Sequence, residues 1–331
     1  MVRLRRVRID APGWTRRRAG SGFVYLDLDR VRITDDEHLT RIVSLAIPPA
    51  WQDVWICPLP HGHIQAAGLD DARRRQYLYH AQWRARRDRL KHDHVLEVAA
   101  RLPAARRRVR RDLQLDGFPG DKALALAFRL LDLAYLRVGG EGYAARHGSY
   151  GLATLRKDHV RVLPPVTQDD PGRVHLHFPA KSGQVRDTVV EDDDVARLVR
   201  TLVRRRDDSD ELLAWRDDAG WHDVTSADVS AYVKARLGED ATPKDFRTWH
   251  ATVLAARGLA AAGAAPSSDR ARRRVVTRVV QDVADELGNT PAVCRASYID
   301  PRIIDLWERG QGIGRRRTRA GAERALVALL G

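Results

Sequence analysis

The chain has 331 residues, enough for about two domains, and 44% of them are hydrophobic, as expected of a protein with a buried core. Lysine and arginine number 58 against 44 acidic residues, and the formal charge of +14 favours a polyanionic partner such as nucleic acid over an acidic small molecule. Two cysteines exclude a disulfide framework and a four-cysteine zinc site, and they indicate a reducing compartment. Without an apolar leader or a run of about 18 apolar residues, we expect a cytoplasmic protein with no membrane contact.

Short alternating runs separated by prolines and glycines occupy residues 1–68 and predict small strands joined by turns. Phe23–Leu26 is one such run. The acids Asp27 and Asp29 continue the alternation, so we interpret them as outward-facing strand residues rather than paired metal ligands. From Asp70 the pattern becomes helical.

The strongly charged residues 83–89 favour a solvated helix or a connector. We therefore predict a β-rich domain over 1–88 and a larger, mainly helical domain over 89–331. In the larger domain, apolar residues recur at helical spacing over 123–136. The predicted fold class is α+β.

An interruption in the helical pattern predicts a β-hairpin. Val174–Phe178 alternates apolar and polar residues, 179–183 has turn composition, and a second β-type run covers Val185–Val190. Lys181 is expected near the tip. The acidic residues 191–194 then favour the start of a helix.

Three later segments predict where helices begin, end or lie. Thr242-Pro243-Lys244-Asp245 combines a cap hydroxyl, a first-turn proline and an acid, so a helix is expected to begin there. Another helix is expected to end at Gly288, followed by Asn289 and, nine residues later, a tyrosine, Tyr298. Residues 320–330 predict a last amphipathic helix.

Several signatures of other chemistries are missing. The sequence has no P-loop, no Cys-x-x-Cys and no His-Glu-x-x-His, so nucleotide-triphosphate and zinc-peptidase chemistry have no support. The pairs His61/His63 and His92/His94 each offer two metal ligands without a convincing third. We interpret them as solvated surface histidines and expect neither a metal nor another cofactor.

Six segments, taken in order, resemble the small poxvirus-like and bacterial type IB DNA topoisomerases over nearly the whole chain. They are Gln76-Tyr77-Leu78-Tyr79, Leu136-Arg137-Val138-Gly139, Gly151-Leu152-Ala153-Thr154-Leu155, the Lys181 hairpin, Lys244-Asp245-Phe246-Arg247-Thr248, and Leu287-Gly288-Asn289-Thr290-Pro291 leading to Ala296-Ser297-Tyr298. The resemblance implies the tyrosine recombinase/topoisomerase type of catalytic domain with a β-hairpin insert. It also implies relaxation of duplex DNA without ATP or metal, by a monomer associated with the nucleoid.

The resemblance assigns the catalytic roles. Tyr298 is the implied nucleophile, forming a 3′-phosphotyrosyl intermediate and releasing a 5′-hydroxyl. Arg137 and Arg247 are expected to bind the non-bridging phosphate oxygens, since guanidinium groups fit them in bidentate fashion. Lys181 is the expected proton donor to the leaving oxygen, with Lys157 as the alternative.

One position departs from the poxvirus pattern, because Asn289 stands where that pattern often has histidine. An amide can donate a hydrogen bond to phosphate but cannot carry positive charge, so it is expected only to stabilise. His250, one turn after Arg247, is expected to be packed or capped, although a contribution to the site stays open. The family resemblance also implies DNA contacts by Arg74, Gln76, Tyr77, Tyr79, Tyr143 and Lys244.

Two other functions remain as alternatives. A tyrosine recombinase shares the catalytic fold, but recombinases usually have histidine where this chain has Lys244, and their front domain is helical. A non-enzymatic nucleoid protein would explain the charge but not the ordered motifs.

Overall fold

The structure is a computed structural model that describes residues 3–165, 167 and 170–331, without the side chains of residues 143, 147 and 182. The chain divides into two compact units, Met1–Lys91 and His92–Gly331. The sequence-based boundary between residues 88 and 89 lies three residues before this division. The smaller unit is built on a β-sheet and the larger one is mainly helical, so the predicted α+β class is confirmed.

The N-terminal unit contains one antiparallel five-stranded sheet of order β2-β1-β3-β4-β5. One face of this sheet packs on a short helix, and Trp14, Ile42 and Ile56 are buried in the small core between them. The elements are β1 (Trp14–Ala19), β2 (Gly22–Leu26), α1 (Asp36–Ser44), β3 (Gln52–Ile56), β4 (Ile64–Leu69) and β5 (Arg75–Tyr79), followed by α2 (Ala81–Asp112), which continues beyond the unit.

The sequence predicted helical structure from Asp70 onward, and this prediction is wrong. Asp70 and Arg74 instead close a hairpin, because the Asp70 amide donates to the Arg74 carbonyl at 3.0 Å and Arg73 adopts a left-handed conformation with φ of 58°. The following five residues pair with β4 as an edge strand. The helix starts only at Ala81.

Two further sequence interpretations are wrong in detail. Asp27 and Asp29 follow the end of β2, and an Asp27 carboxylate oxygen accepts from the amides of Asp29 and Val31, at 3.0 and 2.9 Å. These acids therefore shape a turn rather than a strand face. His92 is buried, not solvated.

Two helices pack together at the centre of the larger unit. Phe128 of one helix contacts Phe246 of the other edge-to-face, with ring centroids 5.0 Å apart. Its helices are α3 (Gly120–Ala134), α4 (Glu141–His147), α5 (Asp193–Val203), α6 (Ser226–Leu237), α7 (Pro243–Ala262), α8 (Asp269–Leu287), α9 (Pro291–Ser297), α10 (Arg302–Glu308) and α11 (Arg319–Leu330). Its strands form a sheet of order β6-β7-β8, from β6 (Val160–Leu163), β7 (Arg173–Pro179) and β8 (Val185–Glu191), and a hairpin of β9 (Ala214–Asp217) with β10 (Gly220–Asp223).

The local predictions for this unit are confirmed at the hairpin and at two helix ends. Strands β7 and β8 pair in antiparallel register, with Lys181 in a short 3₁₀ turn between them. Thr242 caps α7, since its amide and hydroxyl both donate to Asp245, at 2.7 and 3.0 Å. Helix α8 ends at Leu287, with Gly288 in the left-handed conformation. Within the described residues, no helix combines the length and apolar character needed to cross a membrane.

Candidate active site

Two of the sequence motifs lie directly against each other. The carbonyl of Arg137 accepts from the Leu152 amide at 2.9 Å, and the carbonyl of Val138 accepts from the Ala153 amide at 2.8 Å. These hydrogen bonds fix the backbone of Arg137 and so restrict the positions that its side chain can reach.

Arg247 joins the C-terminal ends of α3 and α8. Its guanidinium donates to the carbonyl of Tyr135, the residue directly after α3, and to the carbonyl of Leu287 at 2.9 Å. Tyr135 holds a left-handed conformation with φ of 56°, unusual for a residue with a side chain, which turns the chain out of α3 toward Arg137. The Arg247 Nε, by contrast, is buried without a hydrogen-bond partner in the described part of the chain.

A second buried arginine, Arg186 of β8, connects the same two helix ends. It donates to the carbonyl of Ala134 at 3.0 Å and to the carbonyl of Glu286 at 2.6 Å. Burial lowers the pKa of Arg186, and the nearby Arg137 acts in the same direction. The carbonyls at a helix C-terminus carry partial negative charge, which compensates two adjacent guanidinium groups.

Asn289 lies beside Arg137, and of its two side-chain polar atoms only the oxygen has a hydrogen-bond partner among the described residues. Its side-chain oxygen accepts a hydrogen bond from Arg137, which also reaches the Gly288 carbonyl at 3.5 Å. Its Nδ2 is buried and has no hydrogen-bond partner among the described residues. An amide group held in this way presents a donor that a phosphate oxygen could satisfy.

The Tyr298 phenol lies against Arg247. Tyr298 directly follows helix α9, and the Arg247 Cζ is 5.3 Å from the centre of the Tyr298 ring. Burial raises the pKa of the Tyr298 phenol, but the charge and hydrogen bonding of Arg247, with smaller effects from Arg137 and Lys244, outweigh burial and place the pKa below its usual value. Burial and Arg137 in turn lower the pKa of Arg247 to about 10. The surroundings of this tyrosine therefore favour the phenolate.

The two candidate lysines are in different settings. Lys181 is exposed at the hairpin turn, and its neighbours Ala180 and Gln184 line a small pocket together with Arg137 and Arg247. Lys157 is ion-paired with Asp207, its Nζ 2.5 Å from a carboxylate oxygen.

Lys244 is exposed on the first turn of α7, three residues before Arg247. The predicted contact Tyr143 belongs to α4, and its side chain lies outside the described part of the structure. His250 is fully packed, with its Nε2 2.9 Å from an Asp132 oxygen. Burial and Arg319 lower the pKa of His250 to about 4.

The four predicted contact residues of the N-terminal unit fall into two groups. Tyr77 and Tyr79 are about one-third exposed on one face of the edge strand β5, with ring centroids 6.0 Å apart. Arg74 and Gln76 both bind Asp70, at 3.0 and 2.8 Å to one carboxylate oxygen. The strand alternation thus separates the two tyrosines from Arg74 and Gln76.

Arg186 is the residue of this region that sequence reasoning missed. A signal for it exists, because alternation along β8 puts position 186 on the same face as the buried Val190. An arginine on the buried face of a strand requires hydrogen-bond partners, and such residues mark polar sites inside a fold.

Comparison with known proteins decides the family. A profile of the catalytic core of eukaryotic DNA topoisomerase I matches residues 80–306, more than half of the chain. The chain belongs to the type IB DNA topoisomerases. A second profile, the N-terminal domain of bacterial DNA topoisomerase IB, matches residues 22–70 of this topoisomerase. It is also 26% identical over 301 residues to DNA topoisomerase 1B of Acanthamoeba polyphaga mimivirus, covering 89% of this chain and 88% of the relative. The resemblance to small type IB topoisomerases is thereby confirmed.

Proposed function

We propose that this type IB topoisomerase relaxes supercoiled DNA through a covalent bond between Tyr298 and one DNA strand. The Tyr298 oxygen attacks the scissile phosphorus, the bond from phosphorus to the 5′ oxygen breaks, and the 3′ phosphate remains on the enzyme. The phenol loses its proton and the departing 5′ oxygen gains one. The reverse attack by the 5′-hydroxyl reseals the strand, so the phosphoester energy is kept and no ATP is needed.

The observation that supports this assignment best is the contact between Tyr298 and Arg247. A phenol is a weak nucleophile at neutral pH, and a neighbouring guanidinium that lowers its pKa makes the phenolate more accessible. Arg137 contributes in the same direction from a separate motif.

The transition state has extra charge on the non-bridging phosphate oxygens, and three groups of this chain could meet it. We assign this role to Arg137, Arg247 and the Nδ2 of Asn289, which has no partner in the described part of the chain. The Asn289 oxygen already accepts from Arg137, so the amide orientation that exposes Nδ2 is set by that hydrogen bond. Where a histidine could offer a positive charge, Asn289 offers a neutral hydrogen-bond donor with a fixed direction.

We assign the proton transfer to the leaving 5′ oxygen to Lys181. It is exposed beside a pocket shared by Arg137 and Arg247, whereas the ammonium of Lys157 is held by Asp207. A flexible ammonium at a hairpin tip can reach a bound strand.

For substrate binding we retain Tyr77, Tyr79, Gln76, Arg74, Tyr143 and Lys244 as DNA contacts. The exposed pair of tyrosine rings on β5 offers stacking or sugar contacts, and the cations offer phosphate contacts. We further propose a catalytic unit of the tyrosine-recombinase type that acts as a monomer on duplex DNA in the cytoplasm, without a metal cofactor.

Plasmid relaxation in EDTA without ATP tests the function. The wild-type chain is expected to relax supercoils, and Tyr298→Phe to leave them intact while keeping DNA affinity. Tyr135→Phe is the matched control, because Tyr135 is another buried tyrosine but contacts Arg247 through its carbonyl. Relaxation by Tyr298→Phe would rule out the proposed nucleophile, and an inactive wild type would rule out the proposed function.

A further inference from the structure

The outer face of the β7–β8 hairpin carries a group of side chains for which the proposed reaction has no use. His175 and His177 are two residues apart on β7, so both point away from the core, and Asp187 is on the same face of β8. Val174, Leu176 and Phe178 point inward and are buried. These buried side chains anchor the strand, so the positions of the two imidazoles on its outer face are fixed.

The strand register brings the carboxylate between the imidazoles. Asp187 pairs directly with His177 in the antiparallel ladder. Its two oxygens lie 2.7 Å from the His175 Nε2 and 3.3 Å from the His177 Nδ1. One ligand atom from each of the three residues lies within 4.8 Å of the others.

These separations suit a small divalent ion. Zinc binds histidine nitrogen and carboxylate oxygen at about 2.0–2.2 Å in tetrahedral geometry, which puts neighbouring ligand atoms roughly 3.3 Å apart. The His177–Asp187 distance of 3.3 Å matches that value, and the His175–Asp187 distance of 2.7 Å is shorter.

We propose that His175, His177 and Asp187 form a binding site for a zinc-type divalent cation, with water completing the coordination. Two neutral imidazoles and one carboxylate are a ligand set that zinc uses in proteins. The ion would link β7 to β8 close to the turn that carries Lys181, and so stabilise the hairpin.

Neighbouring charges set the expected strength. The groove beside His175 and His177 is also lined by three arginines, Arg161, Arg200 and Arg204, and by one acid, Asp158, so its charge on balance opposes a dication. The site should therefore bind more weakly than a structural zinc site.

A second group with similar spacing, His94, Glu97 and Asp240, is a poorer candidate. Arg101 forms a bidentate ion pair with Asp240, both N···O distances being 2.9 Å, so the carboxylate is already neutralised. In the proposed site the carboxylate of Asp187 is paired only with the two imidazoles that would share the metal, among the contacts of the described residues.

Calorimetric titration of the tag-free full-length chain with Zn²⁺ tests the proposal, with Co²⁺ absorption as a second readout because tetrahedral Co²⁺ has a distinctive spectrum. Wild type is expected to bind one equivalent that His177→Ala and Asp187→Asn each weaken at least about tenfold. His222→Ala is the matched control, since His222 is also exposed and paired with an aspartate, Asp217, at 2.8 Å. It should leave binding unchanged.

Circular dichroism of each variant checks folding, and the exposed positions of His177 and Asp187 make a native fold the expectation. Absence of a bound equivalent in wild type would overturn the proposal. So would equal affinity in wild type and folded His177→Ala, or loss of binding in His222→Ala alone. None of these outcomes depends on the topoisomerase reaction.

Discussion

Gly139 and Gly151 meet backbone to backbone. A Cβ added at Gly151 would lie 2.4 Å from the Cα of Gly139 and 2.8 Å from the carbonyl oxygen of Arg137. Neither contact involves a flexible side-chain end that could move away. The close approach of these two segments, and with it the position of Arg137, therefore depends on the missing side chain.

Gly151→Ala should lower both stability and activity. The added methyl group must push the Arg137 segment away, which we expect to reduce the free energy of unfolding by about 1–3 kcal/mol and to slow plasmid relaxation. Urea unfolding and a relaxation time course measure the two effects. Gly140→Ala is the control, because a Cβ there meets nothing within 4 Å. Equal effects of the two substitutions would contradict this account.

Tyr298 should ionise before Tyr135 and Tyr232 in an alkaline titration followed by phenolate absorbance. Arg247 lowers the pKa of Tyr298, whereas burial raises the pKa of the other two. Tyr298→Phe should remove the earliest phase, and Arg247→Gln should move it to higher pH. Because a lowered phenol pKa adds stability only as pH rises through that pKa, neutral stability should not reflect it. An unchanged first phase in Tyr298→Phe would refute the assignment.

Asn289→Ala should slow strand cleavage with little effect on folding. Its Nδ2 has no hydrogen-bond partner among the described residues, so the free protein loses only the contact that the Asn289 oxygen accepts from Arg137. Loss of one hydrogen-bond donor to a transition-state oxygen typically costs about 10²–10³-fold in rate. Single-turnover cleavage of a short duplex measures it. Asn289→His should retain more activity than Asn289→Ala, and equal cleavage by wild type and Asn289→Ala would exclude a catalytic donor.

Lys181→Ala should slow cleavage of ordinary DNA and be rescued by a substrate with a 5′-thio leaving group. A thiolate leaves without protonation, so the acid is no longer needed. Lys157→Ala is the comparison, since it removes the ion pair with Asp207 but no proposed acid. If Lys181→Ala were equally slow on both substrates, Lys181 would act in some other way.

The buried His250 should make the protein sensitive to mild acid. Its pKa of about 4 in the folded state lies below the unfolded value of about 6.5. Between these values the unfolded chain takes up a proton that the folded chain does not, so stability falls as pH drops through this window. Urea unfolding from pH 7 to pH 4 should show a shallower decline for His250→Gln than for wild type. The exposed His222→Gln should follow wild type, and an unchanged slope in His250→Gln would disprove the prediction.

Local patterns were sufficient to predict those elements whose signals are local. The Lys181 hairpin has alternation and turn residues, and the starts of α5 and α7 have acidic or hydroxyl caps. The strand β5 was missed because its sequence, Arg-Gln-Tyr-Leu-Tyr, is only five residues long, and its pairing with β4 supplies the stability. The β9–β10 hairpin was missed for a related reason, with only four residues in each strand.

The site was less accessible to sequence reasoning than the fold. Composition and spacing pointed to nucleic acid, but the roles of Arg137, Arg247 and Tyr298 came from family resemblance. Contacts such as Arg247 with Tyr298 join distant segments, so no local pattern encodes them. Arg186 was overlooked because its partners are backbone carbonyls, which have no sequence signature.

Arg186 and Arg247 donate hydrogen bonds to backbone carbonyls at the C-terminal ends of α3 and α8. Within the described residues, neither arginine forms an ion pair with a carboxylate. An incoming phosphodiester therefore has no resident counter-anion to displace. Their orientation is set in advance and their charge is offset only in part, by carbonyl dipoles, so the reorganisation needed on DNA arrival is small. A carboxylate introduced next to either guanidinium would pair with it and compete with the phosphate for the same charge.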